Sequence, residues 1–377
     1  VWMLRDTAAN YFFRPGLTWP RSTVKGLNVR ILPAACVFAD KGPAGFAVSL
    51  IQVKRFVGLF NSYCYQLLLR LQQGSRAWEV GTVQKTAVAS LSVNEKSRLE
   101  KLISRTWFLS RDFDLVDDTS HAFSAPALLE TLGTTLAERA AYYAKYIAKA
   151  AEELRRIQTE VDEIAFNLYG FTAEEREAVG GRQYAEGGGQ KEAGGENADE
   201  CAMDESEGDS TEDETAASDP AYRLLHTANF LSWCIGVAFG RWDIRIALDP
   251  SLTPKLPDPF DPLPVCPPGM LVGPDGLPAE ANRIVSEEWL RARPDANTLP
   301  PQGSVKNPTV SDDGYPLRIS WDGVLVDDPG FNGGRPHRDD IVRRVREVFD
   351  LLWKDKAHEI EQEACEILGV SDLRDYF

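Results

Sequence analysis

Histidine and cysteine are scarce here. There are four histidines and six cysteines in 377 residues. Cys36, Cys64, Cys201, Cys234, Cys266 and Cys365 include no pair at the close spacing of a metal knuckle or a redox dithiol. His121, His226, His337 and His358 are equally scattered, so no metal site is expected. So few thiols in so long a chain are expected to stay reduced in the cytoplasm. Long apolar runs are also missing. The longest, Phe230 to Gly240, is about half of what spans a bilayer. No signal-peptide pattern opens the sequence, and no membrane partner is expected. No G-x-S-x-G elbow, phosphate loop or glycine loop after a convincing strand appears, which argues against the common hydrolase and nucleotide-dependent chemistries. Asp117-Asp118 and Asp327-Asp328 read as solvated loop carboxylates rather than a nuclease centre, because no Glu-x-Lys follows at a useful spacing.

What is present is a large, unevenly charged globular chain. Hydrophobic content of 43% and aromatic content of 10% allow two or three domains with a sizeable core. The net charge of −16 alone argues against a nucleic-acid partner. However, residues 183–219 hold thirteen carboxylates and one lysine, and residues 1–125 hold sixteen Lys/Arg against nine Asp/Glu. The opening part is therefore basic.

That basic part is organised around Tyr11 to Phe46. Aromatic and β-branched residues alternate with polar ones, and Pro15-Gly16 is expected to make a tight turn. Arg14, Arg21, Lys25 and Arg30 are interleaved with Phe12, Phe13 and Trp19. Basic side chains beside rings on a strand scaffold suit a phosphate backbone with stacked or splayed bases. The plainer alternative, and the commoner one, is a sheet whose aromatics are core and whose arginines are solvated.

Downstream, Val48 to Phe56 fits strand or helix, Asn61 to Leu71 looks helical, and Val80 to Val88 alternates like a strand. Ser92-Val93-Asn94-Glu95 and Thr135-Leu136-Ala137-Glu138 have the form of capping boxes, and Thr172-Ala173-Glu174-Glu175 starts a short helix. Leu136, Ala140, Tyr143, Ile147, Ala150, Leu154, Ile157, Val161, Ile164 and Leu168 repeat every 3.5 residues, the pattern of a coiled-coil seam. The helix they predict ends at Tyr169-Gly170 and is on the order of 50 Å long. It fits a rod between domains or a helix lying on its own core. Gly180 to Ser218 has scarcely any large apolar residue and is expected to be disordered. After Tyr222, Leu224, Leu225, Phe230, Leu231, Trp233 and Ile235 read as an apolar helix with these residues inside. Arg241 and Arg245 flank Trp242, with Asp243 or Asp249 as partners for a buried arginine. Residues 250–336 read as loops with a helix near Ser286 to Arg293. Asp339 is expected to cap an amphipathic helix with Arg343, Arg344, Arg346 and Glu347 on its polar side, continuing to Leu368 and stopping at Gly369.

Several of these stretches together carry a resemblance. Tyr11 to Thr18, Val29 to Pro33 and Trp78 to Thr86 are followed by Thr119 to Phe123, Asn167 to Phe171, Phe239 to Arg245 and Glu361 to Gly369. In that order they resemble the target-recognition and helical C-terminal part of large adenine-specific DNA methyltransferases. These are the class associated with BREX phage defence (PglX-type) and with single-chain restriction–modification enzymes, carrying a TaqI-like specificity domain.

The resemblance implies an α+β chain: a small mixed-strand recognition domain, a long coiled-coil-like helix and a mainly helical, loop-rich C-terminal domain. The expected divisions are a recognition domain at 1–118, a helical connector at 119–171, an acidic insert at 172–219 and a support domain at 220–377. In such a domain, a strand like that at residues 80–88 closes the recognition sheet. Double-stranded DNA is the implied partner, with Arg14, Thr18, Arg21, Lys25, Arg30 and Lys85 as candidate contacts. S-adenosylmethionine and the Asn/Asp-Pro-Pro-aromatic turn belong, in this family, to a domain N-terminal to this region. Cys266-Pro267-Pro268-Gly269, Leu299-Pro300-Pro301-Gln302 and Asn307-Pro308-Thr309 each lack part of that motif. No catalytic, cofactor-binding or metal-ligating residue is therefore expected here, and Val1 and Phe377 read as cut from a longer polypeptide. The missing methyltransferase domain and other defence-system proteins are further expected partners. Two alternatives of other classes are a protein-interaction module of a defence complex and a complete enzyme with an unfamiliar active site.

Overall fold

Leu17 and Trp19 turn inward and are 3% exposed, while Thr18 between them faces the other side, and this alternation sets the small sheet. In the computed structural model, which describes residues 6–23, 26–72, 77–177, 219–273, 276–279, 284–285, 305–306, 315–319, 324–330 and 334–377, the chain is mixed α+β and mainly helical. Lys25, the whole stretch expected to be disordered (Gly180 to Ser218) and the helix expected near Ser286 fall outside the described residues.

The chain divides into two compact units. The first comprises Val1–Phe108, Ala151–Thr211 and Pro259–Pro262; the second comprises Leu109–Ala150, Glu212–Asp258 and Leu263–Phe377.

The first unit opens with a helical turn, α1 (Asp6–Ala9), and the strands β1 (Gly16–Thr18), β2 (Arg30–Leu32) and β3 (Ala44–Gly45). The order is β2-β1-β3, antiparallel throughout. Gly16, expected in a turn, is the first residue of β1. A Cβ there would come within 2.9 Å of the Phe46 ring. Helix α2 (Leu50–Asn61) packs against β1 and β2, and α3 (Tyr63–Gln72) follows it directly. Asn61 fixes the approach to β2: its side chain accepts from the Val29 N–H and donates to the Val29 carbonyl, both at 2.7 Å.

Val80 to Val88 is not a strand. Helix α4 (Val80–Lys85) occupies it, buries Val83 alone and ends where Thr86 Oγ1 bonds the Thr82 carbonyl. Six residues of alternating β-branched character cannot by themselves distinguish one short helix from one strand. The sheet is instead approached by Ala77 and Trp78. Ser22 bridges Ala77, the Trp78 N–H bonds the Arg21 carbonyl at 2.6 Å, and the Trp19 indole donates to the Trp78 carbonyl at 3.0 Å.

Helix α5 (Val93–Asp114) starts at a complete capping box, with the Ser92 N–H on the Glu95 carboxylate and the Glu95 N–H on the Ser92 hydroxyl. Helix α6 (Leu136–Tyr169) has the expected bounds. Its box is only half formed: Thr135 caps the Glu138 N–H, but the Glu138 carboxylate turns to Thr134. All ten seam residues of α6 are buried or half-buried. The seam is therefore not a free coiled-coil surface. Ile157, Val161 and Ile164 lie buried in the first unit, and Leu136 and Ala140 belong to the core of the second. Thr172 and Glu175 form a second complete box ahead of α7 (173–177).

In the second unit, α8 (Pro220–Ala238), α10 (Ile341–Trp353) and α11 (Ala357–Leu368) pack together, with α9 (Ile244–Leu248) and α12 (Leu373–Tyr376) beside them. Phe230, Val237, Trp242, Val345, Phe349 and Ile360 are among the residues of their shared core. Leu224 and Leu225, expected inside, are 46% and 51% exposed. The cap of α10 is Asp340, not Asp339. Asp339 is buried and paired with Arg318 and Arg338. Arg344, expected on the polar side, is fully buried against Glu347 and the Arg318 carbonyl. The expected continuous helix to Leu368 breaks at Lys354, whose φ is 52°, and resumes after one 3-10 turn. Gly369 ends it in the left-handed conformation, as expected. Among the described residues no helix is long and apolar enough to cross a membrane.

Candidate nucleic-acid interface

The register of β1 and β2 pairs Thr18 with Arg30, and that of β1 and β3 pairs Thr18 with Ala44. Directly opposed residues share a side of a sheet, so Thr18 and Arg30 emerge together. Gly16 lies on that same side, with Phe46 against it. Arg14 stacks over the rings of Phe46 and Tyr11, at 5.7 Å and 5.3 Å to their centroids. A continuous row therefore runs from Tyr11 and Arg14 through Phe46 and Gly16 to Thr18 and Arg30.

These side chains are not equally available. Arg14 and Arg30 are exposed and have no ion pair among the described residues. The Thr18 hydroxyl donates to the Pro43 carbonyl at 2.9 Å, which leaves it free only to accept. Arg21 is committed: it meets Asp40 and Glu79, each at 2.8 Å. Those contacts, Glu79 first, raise its pKa further above the ordinary guanidinium value. Its backbone carbonyl holds Trp78, so its role is to fasten residues 77–79 to the sheet. Lys85 is exposed at the end of α4, and the strand register does not bring it to the sheet. Lys25 lies outside the described residues.

Other basic residues of this unit are also neutralised. Arg55 pairs with Glu100, Arg98 with Glu160, and Arg105 with Glu153 at 2.7 Å. Two carboxylates of α6 thus pair with two arginines of α5, whereas Arg14 and Arg30 meet no carboxylate among the described residues.

Among the aromatics, Trp19 is buried with its N–H bonded, so it is unavailable for stacking. Phe13 is the opposite case. It is 64% exposed with φ at +64°, a left-handed backbone that a bulky residue rarely adopts. Ala35 opposite has φ at +62°. The Phe13 N–H bonds the Cys36 carbonyl at 2.9 Å, and the Ala35 N–H bonds the Phe13 carbonyl at 3.0 Å. Behind Phe13, the rings of Phe12, Phe38, Phe46 and Tyr11 touch in series, with centroids 5.2–5.6 Å apart. Arg14 stands out in the sequence, but its seat on Phe46 does not: the two lie 32 residues apart in the chain, and the pairing of β1 with β3 sets Phe46 beside Gly16.

The arginines around Trp242, in the second unit, are structural. Arg245 forms a two-pronged pair with Asp243 and lies 5.3 Å from the centre of the Tyr315 ring. Arg241 stacks on Trp242 at 4.4 Å. A cleft of about 180 Å³ between α10 and α11 is lined by Arg346, Phe349, His358 and Glu361. Arg346 grips Glu361 there with both prongs, and Asp350 adds a further carboxylate to the lining. Among the described residues no cluster of His, Cys, Asp and Glu could hold a metal ion. Neither a family model nor a curated protein matches the chain.

Proposed function

We propose that this chain is the sequence-recognition portion of a site-specific adenine DNA methyltransferase, and that the Thr18–Arg30 side of the sheet docks on duplex DNA. The observation that carries this reading is the sharing of one sheet face by Arg14, Thr18 and Arg30, with both arginines free of carboxylates among the described residues. An exposed guanidinium without a carboxylate is ready for a phosphate, and release of counterions then supplies affinity. Arg14 and Arg30 hold the backbone. Thr18, able only to accept, suits the amino group of adenine or cytosine in the major groove. Lys85, and Lys25 beyond the described residues, complete the basic set.

Methyl transfer is assigned to no residue of this chain. In the resembled family that chemistry is supplied by S-adenosylmethionine in a separate domain, to which a bound chain of this kind would present the adenine. The helical second unit acts as support. The test is binding of the 377-residue chain to duplex DNA across a salt series, alongside a methyl-transfer assay with labelled S-adenosylmethionine. The reading requires binding that weakens steeply with salt and no transfer by this chain alone.

A further inference from the structure

The exposed ring of Phe13 has no explanation in folding. A core phenylalanine is buried and sits in an unstrained backbone, whereas this one is 64% exposed and held in the left-handed region by two backbone hydrogen bonds. The strain is fixed from beneath, by the bracket to Ala35 and Cys36 and by the neighbouring ring of Phe12, 6.4 Å away. Tyr11, 44% exposed, stands nearby in the chain, with the Arg14 guanidinium over its ring at 5.3 Å. The result is a fixed, outward-facing apolar ring one residue from a cation with no ion pair among the described residues.

We infer that Phe13 is a stacking wedge for a nucleobase that has left its pair, with Arg14 holding an adjacent phosphate. The inference rests on the DNA-binding reading above and adds its ligand: an unpaired base within a duplex. The chemistry fits on three counts. A base offers a flat π-face of any sequence to an aromatic ring. The flanking phosphate supplies the negative charge that Arg14 lacks among the described residues. A wedge must resist being pushed back, and the backbone bracket supplies that resistance without burying the ring.

The experiment compares the chain's affinity for a perfect duplex with that for the same duplex carrying a single-nucleotide bulge. The proposal expects at least about fivefold tighter binding to the bulge, the scale of one aromatic–base stack. Phe13→Gly should abolish that preference while keeping perfect-duplex binding and its salt dependence, and Phe13→Tyr should retain the preference. Glycine suits the backbone at this position, so the variant is expected to fold. Equal affinity of the natural chain for the two duplexes would overturn the wedge and leave the DNA-binding reading standing. A preference that survives in Phe13→Gly would also overturn the wedge. Binding to neither duplex would overturn both.

Discussion

Thr18 and Arg30 face each other across the antiparallel pair of β1 and β2, yet only Arg30 has a side chain without a partner among the described residues. Arg21, two residues beyond Trp19, is instead held by Asp40 and Glu79, so the basic residues of the first unit fall into two classes, paired and unpaired among the described residues. Arg14 and Arg30 are predicted to contact phosphate, so Arg14→Ala and Arg30→Ala should each flatten the salt dependence of DNA binding by about 0.9 in log–log slope. Arg21→Ala and Arg98→Ala, which remove guanidinium groups already paired with carboxylates, should leave that slope unchanged. Titrations of the four variants over a salt series check this. Equal effects at all four positions would contradict the division.

Phe13→Gly also makes a stability prediction. The left-handed backbone costs a non-glycine residue roughly 1–2 kcal/mol, and the ring gives up little burial because it is 64% exposed. The variant should be as stable as the natural chain or more stable by about 1 kcal/mol. A denaturant midpoint shifted downward, by more than about 1 kcal/mol on conversion, would mean that the ring supports the fold.

In the second unit, Gly236 leaves room for Trp242. A Cβ on Gly236 would collide with the indole, which is 2% exposed and cannot withdraw. Gly236→Ala should therefore cost about 1–3 kcal/mol through overpacking. Chemical denaturation followed by tryptophan fluorescence reads the change, and an unaltered midpoint would contradict this packing.

His226 should make the second unit acid-sensitive. Its ring lies between Tyr143 and Tyr222, with centroids 5.1 Å and 4.4 Å away, and burial lowers its pKa from 6.5 to about 4. The unfolded chain takes up the proton first, so this contribution is fully present above pH 6.5 and is lost as pH falls toward 4. His226→Phe should lose less stability than the natural chain between about pH 7 and about pH 5. Parallel pH dependences of the two denaturation midpoints would contradict the assignment.

What the sequence revealed depended on whether the determinants were local. The boxes at Ser92 and Thr172, the span of α6 and the stop at Gly369 lie within a few residues of what they control, and each formed as read. Which surface covers a pattern is not local. The α6 repeat fitted a rod as well as a buried helix, and only its ten covered side chains decide between them. Arg344 resembles its exposed neighbours in sequence, but residues around Arg318 close over it. At the candidate interface, Arg21 and Arg30 were indistinguishable because the carboxylates that claim Arg21 lie 19 and 58 residues away. The one-residue error at the α10 cap has a different cause: Asp339 and Asp340 are chemically the same, and one buried ion pair separates their roles.

The sheet face bearing Arg14 and Arg30 is proposed to bind the DNA backbone. The deciding measurement is the equilibrium affinity of the 377-residue chain for a short duplex at a series of salt concentrations. With Arg14, Arg30, Lys85 and Lys25 as contacts, log affinity should fall against log salt with a slope of about −3 to −4. Loss of both arginines should bring the slope to about −2 or shallower. Affinity that is absent at low salt, or that does not respond to salt, would contradict the account.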